Sequence, residues 1–169
     1  MNAGIVYLRP ARLVFSRATG PYETTIPHAW SKLQDWISRT GVSTPNARCY
    51  GLLRDNPALV SAENCRFDAC MEIDVHYEER AIRDLGMITL PGGSYVRQRE
   101  KGSEAALKSR LMSIHAECKI PGGLFIDNNR PIVTLYLNNP LRSKSGDVRA
   151  DVCIPVTAQA QRSKVEKAA

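Results

Sequence analysis

The chain has 169 residues, 43% hydrophobic and 24% charged, the balance of one globular domain or of two tightly fused halves. That length buries a core without disulfides or metals; the five cysteines (Cys49, Cys65, Cys70, Cys118, Cys153) are odd in number and lack a Cys-x-x-Cys pair, which argues against a disulfide framework or a zinc site. No apolar run approaches the roughly 20 residues that span a bilayer and no secretion signal opens the chain; the net charge of +6 is scattered among acidic residues without a nucleic-acid-binding motif, so the expectation is a cytoplasmic protein with no membrane or direct nucleic-acid role.

Residues 5–18 are rich in β-branched and aliphatic side chains and read as strand, broken at Arg9-Pro10. Gly20-Pro21 is a turn signal. Over residues 25–40, Ile26, Trp30, Leu33 and Ile37 recur at helical spacing. Thr25 is the expected cap, Pro27 the expected first-turn residue and Gly41 the stop. Residues 49–54 form a short strand closed by Asp55-Asn56-Pro57, and 66–75 form another. A charged, exposed connection over 76–85 follows.

The second half has the same order. Residues 86–100 are strand interrupted by Pro91-Gly92-Gly93, and 103–118 are helical, with Leu107, Leu111 and Ile114 on one face. Residues 131–137 form a strand closed by Asn138-Asn139-Pro140, 148–156 form the last strand, and 157–169 are expected to be a flexible tail.

The halves match residue by residue. Leu8, Val14, Arg17 and Gly20 meet Leu90, Val96, Arg99 and Gly102. At an offset one residue larger, Asn56-Pro57 meets Asn139-Pro140, and Arg66, Asp68 and Cys70 meet Arg149, Asp151 and Cys153. Segments this short share roughly two identities by chance. The expected fold is therefore α+β: a single domain over 4–156, made of two β-α-β-β repeats (about 4–75 and 86–156) related by a pseudo-twofold axis. Their antiparallel sheet has helices on its outer face and leaves a central cleft, where ligands commonly bind.

Gly20-Pro21-Tyr22-Glu23, Ala29-Trp30-Ser31-Lys32-Leu33, Asp55-Asn56-Pro57, Cys65-Arg66-Phe67-Asp68-Ala69-Cys70, Pro91-Gly92-Gly93-Ser94-Tyr95 and Tyr136-Leu137-Asn138-Asn139-Pro140 together resemble the GyrI-like family. That family includes DNA gyrase inhibitory proteins and the effector-binding domains of AraC-type and multidrug-responsive regulators. The resemblance implies the doubled fold, no cofactor, and a non-enzymatic cleft for small, often cationic and aromatic, molecules. It also implies a stand-alone member whose partner is a small aromatic ligand. The alternatives it leaves are a protein partner (DNA gyrase or a transcription regulator) and hydrolysis of reactive small molecules. Family members that bind ligands usually carry a glutamate where this chain has Thr134 and often a tyrosine where it has Leu53, which puts the preference for cations in doubt.

Alternation along 131–137 sets Ile132, Thr134 and Tyr136 on one face and Val133, Leu135 and Leu137 on the other. The aliphatic set is expected under the helix and the polar set in the cleft, with Gly51 and Leu53 at the equivalent positions of the first half. Tyr136 and Thr134 are the central ligand candidates, joined by Leu53, Gly51, Trp30, Phe67 and Met71. Arg66 with Asp68, and Arg149 with Asp151, read as surface pairs. His28, His76 and His115 show no metal-ligand or triad pattern, so no catalytic or metal residue is assigned.

Overall fold

The computed structural model describes residues 4–42, 46–73, 83–141 and 146–158. The charged connection, apart from 83–85, and the tail from 159 onward lie outside the described residues, as does His76. The first half contains β1 (Gly4–Leu8), β2 (Ala11–Thr19), α1 (Tyr22–Thr40), β3 (Cys49–Leu53) and β4 (Arg66–Met71). The second contains β5 (Gly86–Leu90), β6 (Gly93–Gly102), α2 (Glu104–Glu117), a short β7 (Phe125–Ile126), β8 (Ile132–Tyr136) and β9 (Val148–Thr157).

The sheet order β1-β6-β9-β8-β3-β4-β2-β5 reads the same backwards when each strand is exchanged for its repeat counterpart. That is the expected pseudo-twofold axis, which passes between β8 and β3. What the repeat did not foretell is an exchange of first strands: β1 pairs with β6, and β5 pairs with β2. One register runs from Gly4↔Arg97 through Leu8↔Gly93 to Ala11↔Leu90 and Phe15↔Gly86. Segments 4–15 and 86–97 thus lie antiparallel along each other, interrupted at Arg9-Pro10 and Pro91-Gly92, where proline cannot donate to the ladder. Because β2 also pairs β4, and β6 also pairs β9, the hydrogen-bonded circuit returns on itself and the sheet curls into a half-barrel.

Two apolar layers result. Leu13, Tyr50, Leu52, Cys70, Leu90, Tyr95, Val133 and Cys153 pack together within the curl. The larger layer lies on the outer face, where Ile26, Ala29, Leu33 and Trp36 of α1 and Leu107, Leu111 and Ile114 of α2 cover Leu53, Phe67, Met71, Ile132 and Val152.

α1 begins three residues before the expected cap. Gly20 takes a positive φ of 140°, which suits glycine, and Pro21 opens the helix without a side-chain cap. Thr25 sits inside the first turns, where its hydroxyl donates to the Pro21 carbonyl at 3.1 Å. Pro27 therefore falls in the helix interior, where it cannot donate to the Glu23 carbonyl. Gly41 ends the helix in the left-handed conformation (φ 63°), as glycine does at C-caps. α2 has a true cap: Ser103 accepts from the Ala106 N–H at 3.1 Å.

The charged strand pairs differ from expectation. Asp68 is fully buried and is held by Arg17, its cross-strand neighbour, through two bonds of 2.7 and 2.9 Å. Asp151 is gripped by Arg99 in the same way, at 2.8 and 3.0 Å. Arg66 instead pairs with Asp55 at 2.8 and 2.9 Å. Asp68 and Asp151 are thus buried carboxylates tied across the sheet, not surface groups paired with Arg66 and Arg149, because the alternation that turns Asp68 and Cys70 into the curl also brings Arg17 alongside.

Candidate functional site

The end of β8, the middle of α1 and the first half of α2 line a cavity of about 200 Å³. α1 contributes Ile26, Pro27, Trp30 and Gln34, one or two turns apart along one face. α2 contributes Glu104, Leu107, Lys108 and Leu111 with the same periodicity. Tyr136 forms the wall at the strand end, followed by Asn138 and by Leu141 of the Asn-Asn-Pro turn, with Val148 of β9 beyond. A cavity of roughly 150 Å³ holds benzene, so this one has room for one substituted or two fused rings.

Trp30 and Tyr136 meet edge to face, ring centroids 5.2 Å apart and planes at 84°, the geometry that the opposed polarity of ring face and ring edge favours. Burial, the main cause, pushes the Tyr136 phenol well above its ordinary range, with the Glu104 charge adding to it. Tyr136 therefore stays protonated and can both donate and accept one hydrogen bond. Glu104 is exposed and Lys108 half-buried; they stand one helical turn apart, so the rim carries one charge of each sign.

Of the seven residues expected to bind ligand, Trp30 and Tyr136 come together at the cavity. Thr134, Leu53, Gly51, Phe67 and Met71 share the Tyr136 face of the sheet but are buried beneath the helices. The Phe67 ring covers Gly51 so closely that a Cβ there would stand 3.0 Å from it. The Thr134 hydroxyl is buried and has no hydrogen-bond partner among the described residues.

This reverses the face expected under the helices. Ile132 and Tyr136 pack with the helices, whereas Val133 and Leu135 turn into the curl. The half-barrel encloses its own apolar layer, so the aliphatic set has no need of a helix. Sequence reasoning also missed the α2 wall. Its signal was Asn138-Asn139-Pro140 itself, which brings the turn after β8 beside the start of α2.

A doubled β-α-β-β half-barrel with a helix-roofed aromatic pocket defines a class of small-molecule-binding domain. The model for the GyrI-like small molecule binding domain matches residues 1–157, and the chain belongs to the GyrI-like family. It is similar to the DNA gyrase inhibitor of Erwinia billingiae (strain Eb661), 23% identical over 158 residues, which are 93% of this chain and 98% of that protein. In fold it is similar to the EcmrR C-terminal domain, with TM-score 0.65, 15% identity, and 92% and 97% of the two chains covered. It is also similar to SAV2435 bound to tetraphenylphosphonium, with TM-score 0.63, 14% identity, and 93% and 94% covered. No helix among the described residues is long and apolar enough to cross a membrane.

Proposed function

We propose that the chain binds a small planar aromatic molecule in the cavity between α1, α2 and the end of β8, as a binding module and not as a catalyst. The observation that carries this reading is the Trp30–Tyr136 edge-to-face pair at the wall of a cavity sized for one or two rings. Trp30 and Tyr136 touch the ligand. Thr134, Leu53, Gly51, Phe67 and Met71 hold the sheet beneath them in place. Leu107 and Leu111 supply the opposite apolar wall, and Gln34 and Asn138 offer polar groups at its margin.

The two tryptophans give the test. Trp30 lines the cavity, while Trp36 is fully buried elsewhere in α1. Titration with indole and with 1-naphthol should change Trp30 emission saturably; the Trp30→Phe variant, reporting through Trp36 alone, should show no such change. Saturable binding that survives both Trp30→Ala and Tyr136→Ala would place the ligand elsewhere. A second reading, modulation of DNA gyrase, rests on the name of the Erwinia relative. Unchanged gyrase supercoiling at large molar excess of this protein removes it.

A further inference from the structure

The two halves carry the same local architecture where helix, turn and strand meet. Gly20 and Gly102 both take positive φ, 140° and 153°, and each helix opens two residues later, at Tyr22 and at Glu104. In the first half Arg54 N donates to Arg66 O at 3.0 Å, Arg66 N to Asp55 Oδ2 at 2.9 Å, and Ala58 N to Asn56 Oδ1 at 3.0 Å. The second half repeats each bond: Leu137 N to Arg149 O at 2.8 Å, Arg149 N to Asn138 Oδ1 at 2.8 Å, and Leu141 N to Asn139 Oδ1 at 2.9 Å. Tyr22 therefore corresponds to Glu104, and Asp55 to Asn138.

The occupants differ. The Tyr22 ring is buried, and its hydroxyl donates to Asp55 O at 2.6 Å while accepting from Asp55 N at 3.0 Å. At the matching place in the second half, the Glu104 side chain is exposed. Glu104, Asn138, Leu141 and Val148, counterparts of Tyr22, Asp55, Ala58 and Cys65, line the cavity.

We infer that the cavity is the vacant twin of the Tyr22 site, and that Tyr22 is a built-in analogue of what the cavity accepts: a neutral phenol, its ring between the helices and its hydroxyl on the backbone of Asn138. The inference rests on the cavity being a ligand site, and it names the class of ligand. The apolar walls take the ring. The Asn138 turn, built like the one at Asp55, takes the hydroxyl as donor and acceptor at once. A ring without a hydroxyl forgoes those bonds, and a charged end gains nothing from a turn that pairs with an O–H.

The probe is p-cresol, with toluene as the ring lacking the hydroxyl. On the wild-type protein p-cresol should bind about 5- to 30-fold more tightly than toluene, the worth of one to two net hydrogen bonds. The Glu104→Tyr variant should plug the cavity as Tyr22 plugs its twin, melting higher than wild type and losing about tenfold or more in p-cresol affinity. Tyr22→Ala should melt lower and bind a second equivalent of p-cresol, which restores part of the lost melting temperature. Should Tyr22→Ala fail to fold, Glu104→Tyr and the p-cresol-to-toluene ratio decide alone. Equal affinity for the two probes, or Glu104→Tyr binding p-cresol undiminished, overturns the inference. If Trp30→Ala and Tyr136→Ala still abolish indole binding in that case, the cavity remains the ligand site and the phenol class alone has failed.

Discussion

Replacing Arg17 by methionine would strip the buried Asp68 carboxylate of its closest cation. Asp68 is 0% exposed, and Arg17, 34% exposed, supplies both of its short bonds. Arg54 lies 3.7 Å from it, and Arg66 also stands within reach of its charge. Removing one partner of a buried pair leaves an uncompensated charge and costs about 3–5 kcal/mol. The partial exposure of Arg17 and the presence of Arg54 put this case at the low end, about 3 kcal/mol. In a domain of this size each kcal/mol moves the melting temperature by about 2–4 °C, so Arg17→Met should melt about 6–12 °C lower. Methionine keeps most of the aliphatic length, so lost packing contributes little. Adding Asp68→Asn should recover much of the loss, because the orphaned charge is gone. Differential scanning calorimetry of the two variants reads this directly. A loss below about 1 kcal/mol, the range of an exposed pair, would show that Asp68 is solvated in solution and refute the argument. The repeat-related Arg99→Met should cost less, since Arg99 is 62% exposed and Asp151 less deeply buried than Asp68.

Thr134→Val removes a buried hydroxyl that has no partner among the described residues and keeps its shape, so urea unfolding should show a gain of up to about 2 kcal/mol; a loss would mean that the hydroxyl has a partner. Gly51→Ala drives a Cβ to 3.0 and 3.3 Å from the Phe67 ring and should lose about 1–3 kcal/mol by overpacking, whereas unaltered stability would mean that the ring turns aside freely. Burial holds the His115 imidazole down at about 4. The unfolded chain protonates near 6.5, so this stabilisation is complete above about pH 6.5 and fades as pH falls toward 4. His115→Leu should flatten melting temperature against pH across that window, and an unchanged slope would assign the acid loss to other groups.

The repeat was legible because its identities fall at structural joints. The Gly20/Gly102 corner and the Asn-Pro turns sit where each half needs them, and they fixed the order of elements in both halves. Partner choice was not legible. Arg17 and Arg99 stood out as one repeated identity, and Asp68 and Asp151 as another, but only the register of β2 on β4 and of β6 on β9 brings them together. Alternation in β8 separated Thr134 and Tyr136 from Val133 and Leu135 correctly. It could not say which face lies under the helices, because a sheet that curls on itself buries both. The exchange of β1 and β5 supplies that second burial, and nothing in the residues of 4–8 or 86–90 announces which repeat they will pair with.

Where the charge lies also decides how this cavity can discriminate. A carboxylate at position 134 would sit beneath the helices, where two unit charges 4 Å apart interact by about 4 kcal/mol at an effective dielectric of 20. This chain has a threonine there, and its cavity carboxylate, Glu104, stands exposed on the rim with Lys108 one turn away. In water the same 4 Å separation is worth about 1 kcal/mol, and the neighbouring lysine offsets part of that. An edge-to-face ring contact contributes about 0.5–1.5 kcal/mol beyond the area it buries, and burying a ring adds about 25 cal/mol for each Å² removed from water. On the binding reading proposed above, affinity in this cavity should therefore follow ring area and hydrogen-bonding fit ahead of ligand charge. Titrations of a cationic planar aromatic such as N-methylquinolinium at 20 mM and 200 mM salt should then agree within about twofold, whereas a charge-driven site would weaken as salt screens it.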